Sequence, residues 1–239
     1  MDPSFSILPP PLSRAEVREV DRIAIERFGM TGLVLMENAG FHAASQIRAI
    51  APTGDICLLC GKGNNGGDGY VIARHLELAG HQVRIVSVVE FEELTGDAAA
   101  NYGIAARSGI SCEVAKDRTG LESQIGNPAL VIDCLLGTGA TGAPRPPYSD
   151  AIQIANQLPS LRIAIDIPSG LDCDTGRPSD PTFIALHTLT FVAPKIGFAV
   201  PEATPFVGNL IVLPIGVPLR LLHELCVSKS RHASASCNS

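Results

Sequence analysis

The sequence is short of the features that mark several functional classes. It has no long basic run, and acids outnumber Lys and Arg by 24 to 18, for a formal net charge of -6. That balance argues against nucleic acid as a partner. No apolar stretch approaches the roughly 20 residues that span a bilayer, so no membrane partner is expected. The start, MDPSFSILPPPLSR, has neither a basic n-region nor a long apolar h-region, which argues against a secretory signal. Seven cysteines follow no disulfide-like spacing, and reduced thiols in a cytoplasmic protein are the expectation. Cys57 and Cys60 form a CxxC inside DICLLC, which reads as a strand. Alternation sends positions three apart to opposite faces, which argues against a shared metal. There is no GxxxxGK[ST], hence no Walker loop. The six histidines follow no catalytic spacing, and no Tyr-Lys or His-Asp pair suits hydride transfer. Internal repeats and interior linkers are also missing.

What is present is a chain of 239 residues, 46% hydrophobic, enough for one sizeable domain with a real core. Ser13 and Glu16 form a capping box, and Val17, Val20, Ile23 and Ala24 follow at helical spacing. A second helix is expected over Leu33 to Ile50. Short apolar runs then alternate with helical stretches. The runs are DICLLC, HQVRIVSVV, ALVIDCLLG, RIAIDIP, LHTLTFVAP and NLIVLP; helices are expected over Asp68–Ala79, Ala98–Arg107 and Tyr148–Asn156. Near-continuous Val, Ile and Leu mark strands buried on both faces, and the alternation implies an α/β fold with a mostly parallel sheet. One domain is expected over 1–225. Both ends read as dispensable to the core, with residues 226–239 a disordered tail.

Ligands of open parallel sheets bind beyond the carboxyl ends of the strands. Three unusual loops fall there: GKGNNGGDG after DICLLC, DCLLGTGATGAPRPPY from Asp133, and DIPSGLDCDTG from Asp166. Gly61, Gly63 and Gly66 formally satisfy GxGxxG, with Glu90 at a distance like that of a ribose-binding acid, a weak match when it stands alone. Asp68 places a negative charge where a phosphate would use the helix dipole, and it also reads as a plain N-cap.

GNNGGDGYVIARHL, VIDCLLGTGATGAPRPPY, AIDIPSGLDCDTG and FVAPKIGF, with LMENAG at residues 35 to 40, resemble the YjeF N-terminal domain family, in that family's order. The likeness covers roughly Leu12 to Gly216. It implies a three-layer αβα sandwich of Rossmann-like type. It also implies NAD(P)HX epimerase activity, an isomerase reaction in nicotinamide nucleotide repair. The substrate would be NADHX or NADPHX, reduced nicotinamide hydroxylated at carbon 6 and inverted there between R and S forms. A separate dehydratase would consume the S form. The resemblance further implies a bound potassium ion, K+, with Asn65, Asp133 and Ser169 as ligands. The substrate would meet Asn64, Asn65, Gly66, Gly67 and Asp68, then Gly137, Thr138, Gly139, Ala140, Thr141, Gly142 and Ala143, and Asp166. A non-catalytic nucleotide-binding or protein-interaction module of the same fold is the competing expectation. The oligomeric state is not fixed, and a homodimer stays open.

The chemistry of these residues suits that reading. A hard cation prefers oxygen donors such as an amide, a carboxylate and a hydroxyl. GTGATG offers backbone N–H groups to phosphate oxygens, Arg145 a fork and Thr138 and Thr141 hydroxyls. Inverting a hemiaminal-like carbon means losing the hydroxyl to form an iminium and returning water to the other face. That calls for acid/base groups and a negative field. Asp133 is the first choice for acid/base work, with Asp166 assisting or holding ribose. Lys195 is expected to be a solvated charge, and Asp172 and Asp174 to stabilise a turn.

Overall fold

The computed structural model describes residues 9–51 and 53–236, with side chains through residue 227; the first eight residues of the proline-rich start lie outside them. Seven strands make one sheet: β1 Ile56–Cys60, β2 Val83–Ser87, β3 Ser111–Val114, β4 Leu130–Cys134, β5 Leu161–Ile165, β6 His187–Phe191 and β7 Asn209–Leu213. Their order is β3-β2-β1-β4-β5-β6-β7, and every pairing is parallel. The first six follow the doubly wound dinucleotide-binding order, with its switch point between β1 and β4.

Among the described residues, eight α-helices cover the sheet: α1 Arg14–Glu26, α2 Gly32–Ile50, α3 Asn64–Leu78, α4 Gly96–Arg107, α5 Arg118–Ile125, α6 Tyr148–Gln157, the short α7 Thr204–Val207 and α8 Leu219–Ser236. Strand alternation divides the apolar residues between two cores. Leu58, Cys60, Ile132, Ile163 and Leu189 join residues of α1, α2, α3 and α8. Cys57, Leu59, Val131 and Ala164 join α5 and α6 on the other face. The expected three-layer α/β sandwich is thus the observed one. Cys57 and Cys60 fall on opposite faces.

Five details differ from the sequence reading. β3 and α5 were not foreseen. β3, SCEV, is an edge strand with alternating exposed positions, so it lacks the apolar run that marks its neighbours. The helix after β1 begins at Asn64, with Gly63 as N-cap, so Asp68 lies inside α3 and is not a cap. Of the expected tail 226–239, residues 226–236 continue α8, and residues 237–239 lie outside the described residues. Leu221 and Leu222 bury that helix's first turns, and no Gly or Pro follows to stop it. The proline-rich start is not wholly dispensable: Leu12 is fully buried and bridges in parallel to Lys195. Its N–H bonds Pro194 O at 2.8 Å, and its carbonyl accepts from Ile196 N at 3.0 Å.

α1 then starts with the foreseen capping box at Ser13 and Glu16. Its first turn is tied down by Arg14, whose N–H bonds Asp174 at 2.7 Å and whose guanidinium pairs with Asp172 at 2.8 Å. Asp172 also accepts from Asp174 N and Thr175 N, fixing its own turn.

Candidate active site

At the carboxyl ends of β1, β4 and β5, roofed by α1 and α2, lies a cleft of about 670 Å³. Its geometry centres on Asp166, the first residue after β5. Asp166 takes a left-handed backbone, φ 65°, which bulky residues avoid. That turn lifts the carboxylate out of the sheet into the cleft. Oδ2 accepts from Thr138 N at 2.9 Å, and Oδ1 pairs with Lys195 Nζ at 3.0 Å. Lys195 is only 1% exposed, and its ammonium also donates to Phe191 O at 3.1 Å. A buried ammonium needs such partners. The lysine expected in solvent is therefore part of the site.

Three more aspartates line the space: Asp97 of α4, Asp68 and Asp21. Asp68 projects from the second turn of α3 and Asp21 from the middle of α1. Burial, then the charges of Asp166 and Asp21, hold the Asp68 carboxyl well above the usual range. Burial, then Asp166, push Asp21 up to about 6, while Lys195 partly opposes the rise. A carboxyl that keeps its proton near neutrality can act as an acid. Asp21 was not foreseen. A polar residue on the first helix of a chain looks the same in sequence whether it faces water or a cleft.

The foreseen residues divide. Asn64, Asn65, Gly137, Thr138, Gly139 and Ala140 line the cleft beside Asp68 and Asp166. Gly66 and Gly67 do not; they are buried where α3 packs on its neighbours. A Cβ on Gly66 would lie 2.0 Å from Gly61 O. Thr141, Gly142, Ala143 and Arg145 are exposed and lie off the cleft wall. The arginine on that wall is Arg18 of α1, near Gly139.

Asp133, the first choice for acid/base work, has no face on the cleft. It is fully buried at the end of β4, and Oδ1 accepts from Leu135 N at 3.0 Å and Ser169 Oγ at 2.7 Å. Oδ2 accepts from Ser169 N at 2.8 Å. Burial pushes this carboxyl up to about 6 against those hydrogen bonds. Leu136 links the group to α3: its N–H bonds Ser169 Oγ at 2.9 Å and its carbonyl accepts from Asn65 Nδ2 at 3.0 Å. Asn65 Oδ1 is left buried without a hydrogen-bond partner. Asn65, Asp133 and Ser169 thus meet around one backbone segment, with an orphaned oxygen and a buried carboxylate among them. Such a set suits a hard monovalent cation.

The family described as YjeF-related protein N-terminus matches residues 32–197. This chain belongs to that family. Among curated YjeF-related relatives, the NAD(P)H-hydrate epimerase of Rhodopirellula baltica is 46% identical, over 91% of this chain and 89% of that one. The NAD(P)H-hydrate epimerase of Pirellula staleyi is 40% identical over 89% of this chain and 95% of its own. A bifunctional NAD(P)H-hydrate repair enzyme of Pyrobaculum aerophilum is 40% identical, with 42% of its length matched. Among solved structures, the yeast protein ynu0 superposes with a TM-score of 0.75, covering 90% of this chain and 93% of that one at 20% identity. That likeness shows a shared fold. The family match opens at the first residue of α2, so α1, which carries Arg18 and Asp21, lies outside it.

Proposed function

We propose that this chain is an NAD(P)H-hydrate epimerase, interconverting the R and S forms of hydrated NADH and NADPH. The near full-length likeness to the Rhodopirellula epimerase carries the reading. The cleft accounts for the chemistry. Asp68, whose burial in the cleft favours the neutral carboxyl, would protonate the leaving hydroxyl at carbon 6. The C–O bond breaks, water departs, and the ring nitrogen's lone pair leaves a planar iminium. Asp166, fixed by Lys195 and Thr138 N, provides a negative charge beside that cation at no cost in reorganisation. Water returning to the opposite face completes the inversion. The glycine segment 137–139 offers backbone N–H groups to the diphosphate, with Arg18 across from it.

A potassium ion would be held by Asn65 Oδ1, Asp133 and Ser169. It would supply a fixed positive charge that neutralises the buried carboxylate and locks the three loops together. A separate dehydratase would remove the S form, in keeping with bifunctional repair enzymes among the relatives.

The test is incubation with each purified epimer, followed by chromatography. Either one should relax to the same R/S mixture faster than in buffer, and faster with potassium than with sodium. An unchanged rate for both would leave a non-catalytic nucleotide-binding module.

A further inference from the structure

We propose that Asp21 of α1 is a second catalytic carboxyl, exchanging a proton with the hydroxyl on the ring face opposite the one Asp68 serves. This rests on the epimerase reading. Epimerisation through a planar cation moves oxygen from one face of the ring to the other. A single carboxyl on a rigid helix serves one face, so the second needs its own proton carrier.

The cleft offers two suited to the task. Both oxygens of Asp166 are engaged, by Lys195 and by Thr138 N. Asp133 does not reach the cleft. Asp97, from α4, packs against Gly32, with Oδ2 only 2.0 Å from where a Cβ on that glycine would sit. Asp21 and Asp68 remain. They come from different elements, α1 and α3, both line the cleft, and no hydrogen bond or ion pair within the described residues occupies either. Asp21 shares its helix face with Val17 and Ile25, one turn away on each side, and both of those line the cleft too. The face is thus turned inward over two turns.

The charges lining the cleft with Asp21 are Asp166 and Lys195 beyond β5 and β6, Lys62 beyond β1, Asp68 of α3, Asp97 of α4, and Arg18 on its own helix. Burial raises both carboxyls, Asp21 to about 6 and Asp68 well above the usual carboxylate range, so each is suited to giving and taking a proton. In one turnover Asp68 gives its proton to the departing hydroxyl, which leaves as water. An incoming water adds to the iminium, and its proton passes to Asp21. The enzyme ends with the two protonation states exchanged, which is the form suited to the reverse reaction. Proton exchange with solvent resets it.

The experiment compares Asp21→Asn, Asp21→Glu, Asp68→Asn and the double variant Asp21→Asn/Asp68→Asn with the parent. Glu19→Gln, on the exposed face of α1, is the control. kcat and KM are measured for each epimer from pH 5 to 8, alongside thermal melts. Asp21→Asn should lower kcat about 100-fold in both directions, with KM changed less than about threefold. The acidic limb of the pH profile near 6 should vanish. The double variant should lose little beyond the worse single one, because the two act as a unit. Asp21→Glu, which keeps the charge but moves the carboxyl by one methylene, should lose at least about 10-fold, and it carries the test if the Asn variant folds poorly. If either folded Asp21 variant retains kcat within about threefold, or the limb persists in Asp21→Asn, the proposal is overturned while the epimerase reading stands. A parent inactive on both epimers overturns both.

Discussion

At the scale of single residues, the site turns on one buried ion pair. Lys195 and Asp166 hold each other at 3.0 Å, and breaking such a pair leaves an uncompensated charge. Lys195→Met should destabilise the fold by about 3–5 kcal/mol and abolish turnover. Lys195→Met combined with Asp166→Asn should recover much of the melting temperature and none of the rate. Asp21 makes the opposite prediction for stability. Its folded pKa of about 6 lies above the ordinary 3.8, so folding takes up protons between those values. The contribution is full below pH 4 and lost as pH rises through 6. Asp21→Asn should therefore melt above the parent at pH 7.5, and the gap should close by pH 4. Asp166 was legible as an acid ending an apolar strand. Lys195 was not, because a lysine after a strand is ordinarily solvated and only the fold closes Leu12 over it.

At the scale of elements, the glycine-rich segment after β1 has two kinds of glycine. Gly63 caps α3, and a Cβ there meets nothing within 4 Å. Gly66 is inside the helix, pressed against Gly61 O. Gly63→Ala should cost under about 1 kcal/mol, as for a weak cap. Gly66→Ala should lower the melting temperature sharply and remove substrate binding, because backbone cannot yield as a side chain can. Calorimetry with NADP(H) and thermal melts on both variants decide this. The sequence showed the glycines but not this division, since both stand in a run that reads as an open loop. Six strands were legible from their Val, Ile and Leu runs. β3 was hidden by its exposed edge. α5, with buried Leu121 and Ile125 its only anchors, has too short an apolar stripe to register.

At the scale of the whole molecule, strand order places the three loops together. β1 and β4 are neighbours at the switch point with β5 beside them, so loops dozens of residues apart open on one cleft. That was foreseeable from alternating strands and helices. The roof was not, because nothing in the capping box of α1 says which way its polar face turns. A chain begun at Gly32 keeps the sheet and α2 but loses the α1 half of that roof, along with Val20 and Ala24 from the core. It should melt at least about 10 °C lower, at roughly 2–4 °C per kcal/mol for a domain of this size, and lack epimerase activity. Leu12→Ala, with the helix intact, should cost about 2–5 kcal/mol as a buried large-to-small change. The stitching of Leu12 to Lys195, and of Arg14 to Asp174 across 160 residues, also has a consequence in time. During synthesis residues 12–14 leave the ribosome before their docking strip, residues 172–196, which is complete only after six of the seven strands. Residues 12–14 must wait, and the nascent protein closes its cleft in one late step, when α1 docks onto that strip.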